Sequence, residues 1–267
     1  MFGEKNMLLR KFTLFFLITL PLSAVLRFFQ LKFIVDPKNG FFYPEFETIG
    51  IISTVIIFLV VAAAVIFSFS IFRSPESTPK ANIILNIASV ALGGVIIVST
   101  LFENTPVTTS QTLTSLKGIF AVLAAAYFIA AGTQKYLNFK LPEIFCCLPV
   151  IYFILRAISK FTVIASIALI TDNLMLIAAI CSLMLFFLHY AMLYNNMDLE
   201  KNFRKLLATG TAAALFSITQ SAVYFIYNGI TAFEQSHTSV FVNLELLVAG
   251  IYVIIFLFSH FAQKKVD

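Results

Sequence analysis

PLSAVLRFFQLKF, from Pro21 to Phe33, places an arginine and a lysine inside a stretch that is otherwise apolar enough to lie in a membrane. A similar stretch, PVIYFILRAISKF, recurs from Pro149 to Phe161. The pair predicts a membrane protein built from two tandem halves, each carrying cationic side chains at the same depth of the bilayer. We expect Pro21 and Pro149 to kink the first and fifth helices, because proline lacks the N–H of a helical hydrogen bond.

Composition around these stretches favours lipid as the solvent. Of the 267 residues, 60% are hydrophobic and 12% are charged, whereas soluble proteins average about 25% charged residues. The mean hydropathy is +0.96. The net charge of +5 does not indicate a nucleic-acid partner, because most lysines and arginines lie between apolar runs and are typical of topology signals.

Eight apolar runs divide the chain, and each is long enough to cross a bilayer core of ~30 Å as a helix at about 1.5 Å per residue. Backbone exposed to lipid must satisfy its own hydrogen bonds, which favours helices over open strands. The sequence therefore predicts an all-α, polytopic membrane helix bundle with eight transmembrane helices. The runs are Phe12–Val35, Thr48–Phe72, Ala81–Leu101, Leu116–Tyr136, Pro142–Ala165, Asp172–Tyr194, Leu206–Tyr227 and Val240–Ala262.

Orientation follows from lysine and arginine, which accumulate in cytoplasmic loops. With the N-terminus inside, twelve of these residues fall on the cytoplasmic side and six on the outer side. We therefore expect both termini in the cytoplasm and a multi-pass protein of the cell membrane. The other interpretation, in which residues 1–26 are a cleaved signal peptide, leaves the remaining topology unchanged. The six outer residues are Arg27, Lys32, Lys38, Lys117, Arg156 and Lys160.

Three dipeptides recur at a nearly constant offset, which indicates a repeat of four helices. LR occurs at 26–27 and 155–156, FR at 72–73 and 203–204, and QK at 134–135 and 263–264. Four helices per half make the second half enter the membrane in the same direction as the first. We expect a 4+4 parallel tandem repeat, with a first half of residues 1–140 and a second half of residues 141–267 in one membrane domain.

Charges inside the apolar runs are the candidate site. Arg27, Arg156 and Lys160 lean toward the membrane centre rather than the near surface, because Cβ atoms tilt toward a helix N-terminus. Arg156 and Lys160 are also i and i+4, so they repel unless an anion lies between them. We expect these three cations to line an outward-facing cavity, part-neutralised by Glu245, that accepts a small anionic ligand or a lipid head group. The alternative is a structural ion-pair network joining helices one, five and eight, or direct head-group contact.

Other features leave the function class open. His189, His237 and His260 have no acidic cluster nearby and no second metal ligand four residues away on the same helix. No metal and no cofactor is therefore predicted. No nucleophile motif, P-loop or dinucleotide motif occurs, so the sequence favours a protein that is not an enzyme. A transporter or permease-like channel is the first hypothesis. The second is a non-catalytic membrane subunit or sensor with another membrane subunit as partner, and the third is a lipid-modifying enzyme with an unrecognised site.

Overall fold

The computed structural model describes residues 2–36, 41–71, 82–103, 110–137, 139, 141–166, 171–231 and 240–261. Among these residues, eight helices are long and apolar enough to cross a membrane, which confirms the predicted all-α, multi-pass character. The helices are α1 (Phe2–Phe33), α2 (Glu47–Ile71), α3 (Ile83–Phe102), α4 (Gln111–Leu137), α5 (Cys147–Ser166), α6 (Thr171–Tyr194), α7 (Leu199–Thr231) and α8 (Val240–Phe261). Short 3-10 helices at Pro44–Phe46 and Glu143–Cys146 precede α2 and α5.

The two prolines occupy different places in their helices. Pro21 lies inside α1, as expected. Pro149 lies in the first turn of α5, which begins at Cys147. The prediction of a mid-helix kink at Pro149 is therefore wrong, because a first-turn residue has no intrahelical acceptor for its N–H and proline fits there without breaking the helix.

Six helices form a closed ring. Each of α3, α4, α5, α6 and α7 packs against the next helix in the chain, and α8 packs back against α3. Helices α1 and α2 stand outside this ring, where they pack against each other and against α7. The equivalence of the two halves stays a prediction, and two of the dipeptides that indicate it, at 72–73 and 263–264, lie outside the described residues.

Helix α7 holds the outer pair to the ring. Its membrane span is 78% buried, compared with 22% for α2, because protein rather than lipid surrounds it. Two hydroxyl pairs cross these contacts: Ser23 with Thr219 and Ser68 with Thr211, each with oxygens 2.8 Å apart. Small polar groups of this kind join helices inside a bilayer, where no water competes for them.

Aromatic rings fill the middle of the six-helix ring. Phe128 of α4 lies edge-on to Tyr252 of α8, with centroids 5.6 Å apart. Phe153 of α5 stacks on Phe187 of α6 at 5.2 Å. These side chains are at most 3% exposed, so they form a continuous aromatic core in the middle of the ring.

A glycine sets the distance between α3 and α4. A Cβ atom at Gly93 would lie 2.7 Å from the carbonyl oxygen of Ala125, whereas a Cβ at Gly94 would meet no atom within 4 Å. Gly93 thus lets the two backbones approach closely, as small residues do in membrane helix pairs. Gly94, on the next position around the helix, does not share this contact.

Candidate functional site

Five charged side chains meet at one end of the ring, and we call them the charged cluster. Glu103 follows the last residue of α3, Lys117 lies on α4, Arg156 and Lys160 lie on α5, and Glu245 lies on α8. The cluster brings together three of the four residues that the sequence predicts as a site, namely Arg156, Lys160 and Glu245. It joins four helices of the ring at a single point.

Glu245 is the closest counter-ion of Arg156. Its side chain is fully buried, and its Oε2 lies 2.9 Å from Nη2 of Arg156. The Tyr152 hydroxyl donates to Oε1 at 2.8 Å, and the Ser99 hydroxyl donates to Oε2. A buried carboxylate with a cation and two hydroxyl donors is satisfied as an anion.

Glu103 is the counter-ion of the two lysines and also lies near Arg156. Its Oε1 lies 2.5 Å from Nζ of Lys160, and its Oε2 lies 3.0 Å from Nζ of Lys117 and 3.5 Å from Nη1 of Arg156. Burial alone would raise the pKa of this carboxyl, but the three cations outweigh burial and hold the pKa well below its ordinary value of 4.5. The three cations therefore favour the ionised form of Glu103.

The position of Glu103 corrects the sequence interpretation. The sequence interpretation names Glu245 as the neutralising carboxylate and does not include Glu103, whereas Glu103 contacts Arg156 and Lys160 and its side chain is only 3% exposed. An anion does lie between Arg156 and Lys160, as their i, i+4 spacing requires, and it is supplied by the chain itself. The network joins α3, α4, α5 and α8, and so includes helices five and eight of the alternative interpretation, a network of helices one, five and eight.

Arg156 carries the densest set of contacts in the cluster and also one donor that lacks an acceptor. Its Nη1 donates to the Tyr152 hydroxyl at 2.6 Å, and its Nη2 donates to Ser99 at 3.2 Å as well as to Glu245. Its Nε is buried and has no acceptor among the described residues. A buried donor without an acceptor costs about 1 to 3 kcal/mol, so this N–H marks a position where an acceptor oxygen would stabilise the cluster.

The cluster, as far as the described residues form it, holds three cations against two anions. Lys117, Arg156 and Lys160 face Glu103 and Glu245, which leaves one positive charge in excess. Burial is uneven: the Arg156 side chain is fully buried, whereas that of Lys160 is 18% exposed. Lys160 is therefore the cation of the cluster that a ligand can contact from outside.

Arg27 lies with a different group of helices. It is buried, and its Nη1 donates to Oε1 of Gln30, one turn later in α1. Gln30 in turn donates to the Thr54 hydroxyl at 2.6 Å and to the Gly50 carbonyl oxygen at 3.1 Å, both in α2. The described contacts of Arg27 thus serve the α1–α2 pair, while the other three predicted residues meet between α3, α4, α5 and α8.

Glu103, Ser99, Lys117 and Tyr152 complete the site, and the sequence reasoning assigned none of them to it. One signal could have found the two charges: Glu103 lies two residues after one apolar run and Lys117 is the second residue of the next, so the short connection between them places both near the depth of Lys160. Among the described residues, no group of three His, Cys, Asp or Glu side chains lies close enough to hold a metal ion. His237 lies outside the described residues.

Comparison with known proteins leaves the site to be judged on its geometry, because no protein-family model, no curated protein and no solved structure matches the chain.

Proposed function

We propose that this multi-pass membrane protein is transporter- or permease-like and binds a small anionic solute, or an anionic lipid head group, at the charged cluster. The observation that carries the proposal is the excess of one positive charge among the described residues of the cluster. Uncompensated charge is costly inside a membrane protein, so a bound anion would stabilise the folded state. The buried Nε of Arg156 supports the same conclusion, because it offers a donor to an incoming oxygen.

The topology proposed from lysine and arginine places the cluster in the outer half of the cell membrane, with both termini in the cytoplasm. A solute would then enter from outside, past Lys160. The tandem halves, 1–140 and 141–267, belong to the same proposal, because repeats of this kind are common among transporters. No catalytic role is proposed for any residue.

Anion-dependent stabilisation of the purified protein tests the binding step. A ligand that binds only the folded state adds about 2.7 kcal/mol of stability at a hundredfold excess over its Kd. We expect one or more small anions, at constant ionic strength, to raise the unfolding temperature of the wild type. Lys160→Gln should abolish this rise and Lys32→Gln should keep it, because Lys32 lies on α1 against Phe28 and Phe33.

Whether the bound anion is a soluble solute or a lipid head group is tested separately. Stabilisation in lipid discs of phosphatidylglycerol but not of phosphatidylcholine, with no response to soluble anions, would identify a lipid head group. Uptake of the stabilising anion into proteoliposomes would support transport. A protein that responds to no soluble anion and to no anionic lipid would refute the proposal.

A non-catalytic subunit or sensor is the second candidate, and the aromatic core favours it. The rings of Phe128, Phe153, Phe187 and Tyr252 pack across the middle of the six-helix ring, so a path through the ring would require these side chains to move apart. Anion binding without uptake would favour this role, because the bound anion would then report to a partner rather than cross the membrane.

A further inference from the structure

We infer that the Glu103 carboxylate is a built-in competitor for the solute: it occupies the position between Lys117, Arg156 and Lys160 that a small monocarboxylate takes when it binds. The inference rests on the proposed function and assigns its solute class and its regulation. Glu103 would hold the site closed when the solute is absent and leave it when the solute arrives.

The two carboxylates of the cluster differ in how they are held. Glu245 belongs to helix α8, and a cation and two hydroxyl groups fix both of its oxygens. Glu103 lies beyond the last residue of α3, and its backbone is extended, with φ −72° and ψ 116°. The described contacts of its side chain are all with cations. Leaving the site therefore requires a change at one helix end rather than the movement of a helix.

The contacts of Glu103 define the chemistry of the solute. One carboxylate oxygen contacts Lys160, and the other lies between Lys117 and Arg156. A free monocarboxylate presents the same two oxygens, so it can replace Glu103 without rearranging the three cations.

An internal competitor weakens the apparent affinity by the fraction of time for which the site is open. If Glu103 occupies the site for about nine-tenths of the time, its removal tightens binding by about tenfold. Glu103→Gln removes the charge while keeping the shape of the side chain. Glu245→Gln is the matched control, because it removes the same charge from the same cluster at a position that the solute does not take.

The experiment measures the acetate concentration that gives half of the maximal thermal stabilisation in detergent. We expect Glu103→Gln to lower this concentration about tenfold relative to the wild type, and by clearly more than Glu245→Gln, which shows the effect of losing the charge alone. Equal tightening by the two variants would overturn the inference, since a general charge effect would then explain it. Stabilisation of the wild type with no tightening in Glu103→Gln would overturn the inference and leave the proposed function standing. No response of any variant to acetate, propionate, phosphate or sulfate, nor of the wild type to anionic lipid, would refute the proposed function as well.

If Glu103→Gln does not fold, hydrogen exchange of the wild type tests the inference instead. The backbone N–H of Glu103 donates to the Ser99 carbonyl oxygen at 2.9 Å, so displacement of this residue should free that hydrogen bond. We expect saturating acetate to accelerate hydrogen exchange in the peptide at the end of α3, while exchange elsewhere slows. Unchanged or slower exchange at this peptide would overturn the inference. Acetate added in water and oleate added to the micelle distinguish a soluble carboxylate from a fatty acid in the membrane.

Discussion

The ion pair between Arg156 and Glu245 should be strongly coupled, and a double-mutant cycle measures the coupling. At the observed 2.9 Å, an effective dielectric constant of about 20 gives a gross attraction of about 6 kcal/mol. Removing one member of a buried pair typically costs about 3 to 5 kcal/mol, because the other charge stays buried. We expect Glu245→Gln and Arg156→Met each to lower the free energy of unfolding by this amount.

The double variant should recover most of that loss. The amide introduced by Glu245→Gln keeps an acceptor for the Tyr152 hydroxyl, and the thioether introduced by Arg156→Met leaves no charge to be compensated. The pair of substitutions also restores the single excess positive charge of the native cluster. Replacement of a buried ion pair by neutral groups is often close to neutral, so we expect the double variant to lie within about 2 kcal/mol of the wild type.

The assay is denaturation of the purified protein by sodium dodecyl sulfate in mixed micelles, followed by far-ultraviolet circular dichroism, since the chain has no tryptophan. Glu200 and Arg204 provide the control pair. They are joined at 2.7 Å on the surface of α7, with side chains 61% and 32% exposed, so their coupling should not exceed about 0.5 kcal/mol. A double variant at positions 156 and 245 that loses the sum of the two single losses would refute the reasoning.

Three further predictions concern packing, pH and topology. Gly93→Leu should separate α3 from α4 and destabilise the protein by about 1 to 3 kcal/mol in the same denaturation assay, whereas Gly94→Leu should be neutral, because only a Cβ at Gly93 meets the neighbouring backbone. Because the pKa of Glu103 is lowered on folding, its contribution to stability is fully present above pH 4.5 and is lost as the pH falls further. Wild-type stability should thus fall more steeply below pH 4.5 than that of Glu103→Gln, and equal slopes would contradict this. A cysteine at Met197, which is 57% exposed between α6 and α7, should react with an impermeant maleimide in cysteine-free protein only after the cells are opened, and labelling of intact cells would reverse the proposed orientation.

Hydropathy predicts the eight helices well because lipid surrounds most of them. It marks α7 incompletely: the apolar run begins seven residues after the observed start at Leu199, because the first turns carry Glu200 and Arg204, which are 61% and 32% exposed. Helix α7 also has the lowest mean hydropathy of the eight spans, because the helices that enclose it accept polar residues such as Thr211 and Thr219 as hydrogen-bond partners. Hydropathy measures compatibility with lipid, so it loses force where a helix is surrounded by protein.

The pairing of Arg156 with Glu245 could be predicted from the sequence, because their depth in the membrane alone decides that they can meet. Arg156 and Glu245 lie at matching depths in two apolar runs, and a buried charge needs a counter-ion. Glu103 was not predictable in this way, because a residue just after a helix has the same sequence signature whether it is solvated or covered by neighbours. Its burial depends on α4 and α5 standing beside the end of α3, and this arrangement is a property of the ring rather than of any local stretch.

The place of the cluster in the ring gives its two carboxylates separate tasks. Glu245 bonds to Ser99 and Arg156, and so holds α8 to α3 and α5 where the ring closes. Glu103 holds the end of α3 to α4 and α5 through lysines and Arg156. A solute that replaces Glu103 would therefore release the end of α3 from α4 and α5, while the contact of α8 with α3 and α5 stays intact.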